Sequence, residues 1–167
     1  MKLLYLLLSF LLIGCSSTPQ TESFELFYER VFESYDSNKQ TYKKQLCGNS
    51  EEYSARIELS TNQIERITRE ADKINFFQLS NSIEHKKEDV SDLPEDIERI
   101  EICAPCSTTT LYLKVGDENH SVSWPCNCSN FEEPTPKLLK SLVESVEGSI
   151  QNSRAYIMAP ESSCGLR

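Results

Sequence analysis

The sequence has few of the residues on which common catalytic and phosphate-binding motifs depend. Only two histidines and five glycines occur among its 167 residues. Neither His85 nor His120 lies in a His-Glu-x-x-His metalloprotease motif. The glycines form no phosphate-binding loop, dinucleotide fingerprint or Gly-x-Ser-x-Gly nucleophile elbow. Because these enzyme signatures are missing, we expect a protein without catalysis and without a cofactor.

Basic residues are also scarce, since 17 Lys and Arg stand against 26 Asp and Glu, and the formal net charge is −9. A chain of this charge repels the phosphates of nucleic acids and of anionic lipid headgroups, so we expect no nucleic-acid partner. The mean hydropathy of −0.45 argues against membrane spans beyond the N-terminal segment.

The long apolar stretch of this chain is at its N-terminus, where Lys2 precedes residues 3–14. A helix of that length would span only about 18 Å, which is less than the roughly 30 Å of a bilayer core. A signal peptide is therefore a better interpretation than a transmembrane helix. The stretch ends in Leu12-Ile13-Gly14-Cys15.

This tetrapeptide resembles the lipobox of bacterial lipoprotein precursors, position by position. The resemblance implies that residues 1–14 are a signal peptide and that the Cys15 thiol is lipidated before Cys15 becomes the mature N-terminus. Its acyl chains would hold the protein on the membrane of the cell envelope. Ser16 resembles the residue of lipoproteins that are exported to the outer membrane, where the cell has one. The alternative is a plain secreted protein that is cut after Ser17.

The rest of the chain is expected to form one globular domain over residues 24–167, after a flexible Ser/Thr/Pro-rich stalk at residues 15–23. Its pattern predicts the α+β class. We expect a mainly antiparallel sheet of about five to seven strands, stapled by disulfides and packed against two helices near 61–74 and 136–150.

Several stretches carry this prediction. Residues 24–35 fit a helix or a strand, and their aromatic and β-branched residues favour the strand. Strict alternation over residues 53–60 predicts a half-buried strand. Ser60 and Gln63 form a capping box at the start of the first helix, and Thr135 is expected to cap the second. Further strands are predicted over residues 97–103 and 155–159.

A β-hairpin is the clearest long-range feature of the sequence. Residues 109–115 and 120–126 flank a four-residue loop that begins at Gly116. This loop length pairs Val115 with His120 and Leu111 with Trp124, so the apolar side chains share one face of the sheet. The same register would bring Cys106 close to Cys128.

Six cysteines remain besides Cys15, and an even number in an exported chain predicts disulfides. The candidates for these disulfides are Cys47, Cys103, Cys106, Cys126, Cys128 and Cys164. The preferred interpretation is structural, with cross-links at the base of the hairpin and Cys47 bonded to Cys164. A second interpretation is redox chemistry, because Cys103-Ala-Pro-Cys106 resembles the motif of thioredoxin-like proteins.

A third interpretation is a metal site, in which Cys103, Cys106, Cys126 and Cys128 hold zinc or copper(I). The sequence thus predicts a lipid-anchored envelope lipoprotein that acts as a binding or structural module for an unknown protein or small-molecule ligand. The alternative is a thiol-based redox or copper/zinc sensor, and an envelope enzyme is the third possibility.

Overall fold

A computed structural model describes residues 23–47, 52–85, 107–127 and 134–164 of the chain. Six strands form one antiparallel sheet in the order β4-β3-β2-β1-β5-β6. The strands are β1 (Phe24–Arg30), β2 (Glu33–Asp36), β3 (Thr41–Gln45), β4 (Glu52–Arg56), β5 (Thr109–Val115) and β6 (Glu118–Trp124). The stretch that fitted either helix or strand is therefore a tight β1–β2 hairpin. The two-residue turn between its strands contains Phe32, which has a φ of 67°.

Three helices accompany the sheet, namely α1 (Thr61–Lys73), α2 (Lys140–Gln151) and the short α3 (Arg154–Ile157). The capping box predicted at Ser60 is present, because its backbone N–H donates to Gln63 Oε1 at 2.8 Å and its Oγ accepts from Gln63 N at 3.4 Å. A 3₁₀ turn at Phe76–Gln78 follows α1.

The core lies between the helices and the face of the sheet that carries Leu26, Tyr35 and Leu111. The side chains on this face alternate with polar ones, as expected for a sheet covered on one side. The helices contribute Ile67, Ala71, Leu139, Leu142, Val143, Val146 and Ile150. The α+β class, the sheet of five to seven strands and both packed helices are confirmed.

The predicted register of the β5–β6 hairpin is wrong by two residues. Leu113 faces His120 and Thr109 faces Trp124, so β6 begins at Glu118 and ends at Trp124. The loop holds only Gly116 and Asp117, and Gly116 has a φ of 59°. A two-residue loop with glycine first suits the twist of a hairpin better than a four-residue loop. Because the shift is an even number of residues, the same side chains remain on the core face.

Two further predictions fail near the C-terminus. The second helix begins at Lys140 without a side-chain cap, and residues 137–139 form a turn in which Leu139 N donates to Pro136 O at 2.9 Å. Leu138, which lies in this turn, is 48% exposed. The predicted strand over residues 155–159 is instead α3, whose N-cap Ser153 accepts a hydrogen bond from Tyr156 N.

Other predictions fall outside the described residues. These are the strand over residues 97–103, the signal peptide, the stalk up to residue 22, and the approach of Cys106 to Cys128. Among the described residues, no helix has both the length and the apolar character that crossing a bilayer requires.

Candidate functional site

A cluster of charged and phenolic side chains joins the β1–β2 hairpin to α2. Tyr28 Oη donates a hydrogen bond to Glu147 Oε1 at 2.7 Å, and Arg30 Nη1 donates to the same oxygen at 3.0 Å. Arg30 also binds Glu33 Oε2 through Nε at 3.0 Å and Nη2 at 2.6 Å. One guanidinium therefore bridges two carboxylates that come from different elements of the fold.

Burial and neighbouring charges shift the pKa values of Tyr28 and Arg30 in this cluster. Burial raises the pKa of Tyr28, and the negative charge of Glu147 raises that pKa further. Burial alone would lower the pKa of Arg30, but its hydrogen bond to Glu33 and the charges of both glutamates raise it. The raised pKa of Arg30 keeps its guanidinium charged between Glu33 and Glu147.

Two more tyrosines close the inner side of the cluster. The rings of Tyr42 and Tyr156 are 5.4 Å apart. Burial raises the pKa of the Tyr42 hydroxyl, as does the nearby charge of Glu33. That hydroxyl is fully buried without a partner in hydrogen-bonding geometry among the described residues. The cavity among these side chains measures about 10 Å³, which leaves room for one water molecule at most.

A much larger groove opens beside the β1–β2 turn and has a volume of about 590 Å³. Small-molecule sites in proteins commonly have volumes of roughly 300–1,000 Å³. We call this cavity the turn groove. Its described lining residues come from the turn, from β3, from the start of β5 and from the C-terminal segment: Arg30, Val31, Phe32, Glu33, Lys44, Ser107, Thr109, Cys126, Pro134, Glu161, Ser162 and Cys164.

A second groove of about 350 Å³ shares the turn residues and Lys44 but extends over the other face of the sheet towards Glu29, Lys43 and Glu52. Phe32 lines both grooves, so the β1–β2 turn separates them. Its φ of 67° lies in the left-handed region, which is strained for an aromatic residue. Strain of this kind tends to be kept where a side chain serves a function.

The two cationic side chains that line the turn groove differ in whether a carboxylate already pairs with them. Arg30 is held by Glu33 and Glu147 at 2.6 Å and 3.0 Å. Lys44 has no ion pair within the described parts of the chain, although its neighbour Lys43 binds Glu52 at 2.7 Å. The turn groove therefore offers one ammonium group, the exposed carboxylate of Glu161, several hydroxyl groups and an aromatic ring to a ligand.

The structure places three of the candidate cysteines. Cys47 and Cys164 form a disulfide with their Cα atoms 5.0 Å apart, as expected. Cys126 is also disulfide-bonded. Cys126 and Cys164 both line the turn groove. The positions of Cys15, Cys103, Cys106 and Cys128 lie outside the described residues.

Of the proposed metal ligands, Cys126 lies among the described residues, and its disulfide-bonded sulfur offers no thiolate to a metal. In the described ranges, no three His, Cys, Asp or Glu side chains converge as a metal site would require. His85 Nε2 contacts Pro125 O at 2.9 Å, and His120 packs edge-on against Phe76 with ring centroids 5.6 Å apart. Both histidines therefore make contacts that serve the fold.

The sequence did not reveal the charged cluster or the turn groove. Arg30 and Glu33 flank a two-residue turn, and a hairpin prediction at that point would have paired them. Glu147 is 117 residues from Arg30 along the chain, and no local pattern links them. Lys44 lies in β3, and no motif surrounds it. No protein-family model, curated protein or solved structure matches this chain.

Proposed function

We propose that this protein is a lipid-anchored cell-envelope lipoprotein whose domain binds a ligand with an anionic group in the turn groove. The anchor rests on the resemblance of Leu12-Ile13-Gly14-Cys15 to a lipobox. The disulfide between Cys47 and Cys164 supports an exported location, because disulfides persist mainly in oxidising compartments. In a cell with two membranes, we expect the lipid anchor to lie in the outer membrane.

One observation carries the binding site: Phe32, held in a strained conformation, and Lys44, which has no ion pair among the described residues, line the same groove of about 590 Å³. An ammonium group that lacks an internal carboxylate can pair with a carboxylate or phosphate of a ligand. The ring of Phe32 offers an apolar surface to the body of that ligand. The charged cluster next to the groove holds Arg30 in place and is assigned a structural role.

The anchor is tested by metabolic labelling with palmitate. The protein should take up label, and Cys15→Ser should abolish both labelling and cleavage of the precursor. Ser17→Ala serves as the control and should leave both unchanged. An unlabelled mature protein that begins at Thr18 would contradict the lipid anchor and support the secreted alternative.

Ligand binding is tested by thermal unfolding of the full chain with succinate, inorganic phosphate and short peptides as probes. A binding probe should raise the unfolding temperature because it stabilises the native state alone. Lys44→Gln should remove this response. Lys39→Gln is the control, because Lys39 is a surface residue paired with Asp36 at 2.6 Å and lies outside both grooves.

The second candidate function is that of a thiol-based redox sensor, and a separate observation favours it. Cys126 and Cys164 belong to different disulfides and both line the turn groove. A ligand that reduces or exchanges thiols could therefore reach both from one cavity. Mass spectrometry under mild reduction should then show one disulfide opening before global unfolding, and the reduced protein should bind one equivalent of copper(I) or zinc. Disulfides that open only on global unfolding would rule against a sensor.

A further inference from the structure

The two edges of the sheet differ in how far the described residues cover them. At the β6 edge, Ser123 N donates to Asn81 O at 2.8 Å and Ser123 O accepts from Ile83 N at 3.0 Å. The segment around Ser82 thus occupies part of that edge. At the opposite edge, the described parts of the chain place no strand or loop backbone on the outer side of β4. An open strand edge is a template for pairing with another chain.

The hydrogen-bond phase of β4 determines which groups face outward. Ile57 N donates to Gln40 O at 2.9 Å, and these two residues continue the register of the β3–β4 pair. In an antiparallel pair, hydrogen-bonded positions alternate with positions that point away from the partner strand. Tyr53 and Ala55 therefore bond to β3. The backbone N–H and C=O groups of the other three residues point outward, and these residues are Glu52, Ser54 and Arg56.

The outward-facing positions are complementary to themselves. When β4 is placed antiparallel to a second copy about Ser54, Glu52 of each strand stands opposite Arg56 of the other. Ser54 then faces its own copy, and the three outward positions exchange roughly six backbone hydrogen bonds across the axis. Opposite charges that face each other directly across strands stabilise a pair, whereas like charges destabilise it. Glu52 and Arg56 are accessible, with side-chain exposures of 45% and 75%.

A second observation supports contact at this edge. The helix α3 packs beside β4, since Tyr53 Oη donates to Ala155 O at 2.9 Å. The last residue of α3 and its C-cap leave two large apolar side chains in solvent, Ile157 with 71% exposure and Met158 with 66%. Apolar side chains beside an open strand edge are typical of an interaction surface.

We propose that two copies of this chain associate through antiparallel pairing of their β4 strands and form one continuous twelve-stranded sheet with twofold symmetry. The occupant of the edge is a second copy because the charge pattern of β4 complements itself. The pairing is isologous, so it closes at two copies and forms no filament. Each Glu52 already has Lys43 beside it on the same face, and Arg56 has Glu58 at 3.7 Å, so the new pairs extend existing charge networks.

The first test measures the mass of the protein in detergent micelles by light scattering. The contribution of the detergent to the scattering mass is determined separately and subtracted. The wild-type protein should reach twice the mass of its own monomer as its concentration rises. Glu52→Arg and Arg56→Glu should each weaken the association at least tenfold, because each places like charges opposite one another twice. A mixture of the two single variants should form a heterodimer, since their strands are complementary again, and the double variant should dimerise with itself.

Two results would overturn the proposal in this test. One is a wild-type protein that stays monomeric at the highest concentration reached. The other is a pair of single variants that dimerise as well as the wild type. Circular dichroism of each variant shows whether a lost dimer reflects a lost fold, and recovery in the mixture is an outcome that misfolded variants cannot produce.

The second test uses cross-linking in the cell and avoids detergent. Directly opposed residues in a hydrogen-bonded antiparallel pair have Cα atoms about 5.5 Å apart, which suits a disulfide. Ser54→Cys should therefore give a covalent dimer on a non-reducing gel. Ser141→Cys is the matched control, because Ser141 is exposed on α2 away from this edge. Equal cross-linking of both variants, or none at Ser54→Cys, would contradict β4 pairing.

Discussion

Cys47 and Cys164 are joined by a disulfide across 117 residues, with their Cα atoms 5.0 Å apart. The bond attaches the C-terminal segment to the chain directly after β3. Hydrogen bonds reinforce the attachment, because Ser162 Oγ donates to Gln45 O at 2.7 Å and Ser163 N donates to Leu46 O at 2.9 Å. This segment also forms one wall of the turn groove.

Removal of this disulfide should destabilise the domain. On the chain-entropy account, a bond that closes a loop of about 100 residues contributes up to roughly 4.7 kcal/mol. The double variant Cys47→Ser/Cys164→Ser should therefore lower the free energy of unfolding by about 2–5 kcal/mol in a urea titration. Ser163→Ala, which keeps the bond, should cost only about 1 kcal/mol. Equal losses in the two variants would show that the bond adds nothing beyond its neighbouring contacts.

The capping box at Ser60 should be measurable in the same assay. Ser60→Ala removes the oxygen that accepts from Gln63 N, so the free energy of unfolding should fall by about 1 kcal/mol. Thr61→Ala changes the next residue, which is exposed and makes no capping bond. This control should change the free energy of unfolding by less than about 0.5 kcal/mol. An unchanged midpoint for Ser60→Ala would show that the cap contributes nothing to α1.

Loss of Arg30 from the charged cluster should destabilise the protein more than loss of an exposed arginine. Arg30→Met leaves Glu33 and Glu147 without the hydrogen bonds that now hold them at 2.6 Å and 3.0 Å. Hydrogen bonds to charged groups contribute about 1.5–3 kcal/mol, so the free energy of unfolding should fall by at least that amount. Arg69→Met, at an exposed position on α1, should have little effect. A comparable loss in both variants would argue against a structural cluster.

Replacement of Phe32 should raise the stability of the protein but remove ligand binding. Its left-handed conformation costs about 1–3 kcal/mol, and glycine adopts this conformation without a steric penalty. Phe32→Gly should therefore raise the unfolding midpoint while it removes the response to any probe that binds the turn groove. Gln40→Gly is the matched control, since Gln40 has a φ of 50° but lines neither groove. A destabilised Phe32→Gly protein would indicate that the ring supports the fold.

Stability should fall in alkaline solution because of the buried tyrosines. Burial, together with the charges of Asp36 and Glu58, raises the pKa of Tyr35 from 10.0 to about 12, and its hydroxyl donates to Ile57 O at 3.2 Å. A phenol with a raised pKa in the folded state stabilises the protein fully below pH 10, and this contribution is lost as the pH rises towards 12. Burial raises the pKa of Tyr28 and Tyr42 as well, so both act in the same direction.

Urea titrations from about pH 9 to about pH 12 test this dependence. The free energy of unfolding should decline steadily above the ordinary phenol pKa of about 10. Tyr35→Phe should show a shallower decline, although it starts from a lower value at neutral pH. Tyr112→Phe, on the opposite face of the sheet from Leu111 and Leu113, should leave the slope unchanged. Identical slopes for all three proteins would show that ionisation of Tyr35 does not cause the decline in the free energy of unfolding.

Local patterns in the sequence determined the elements of the fold. Alternation predicted the strands on either side of Gly116, and the Ser60 and Gln63 pair predicted the start of α1. The core faces were also predictable, because the side-chain period of a strand survives the two-residue error in the β5–β6 register. The pairing of Cys47 with Cys164 was expected as well, although it is a long-range contact, because the other four candidate cysteines flank the hairpin and were expected to pair there.

Tertiary structure alone decided the site. The meeting of Arg30 with Glu147, the position of Lys44 beside the C-terminal segment, and the open edge at β4 all depend on which strands become neighbours. No period or motif encodes such contacts, because residues far apart in the sequence are brought together by the packing of whole elements. The start of α2 and the helical state of residues 154–157 were missed for a different reason, because they depend on local features: a turn that ends at Leu139 and an N-cap at Ser153.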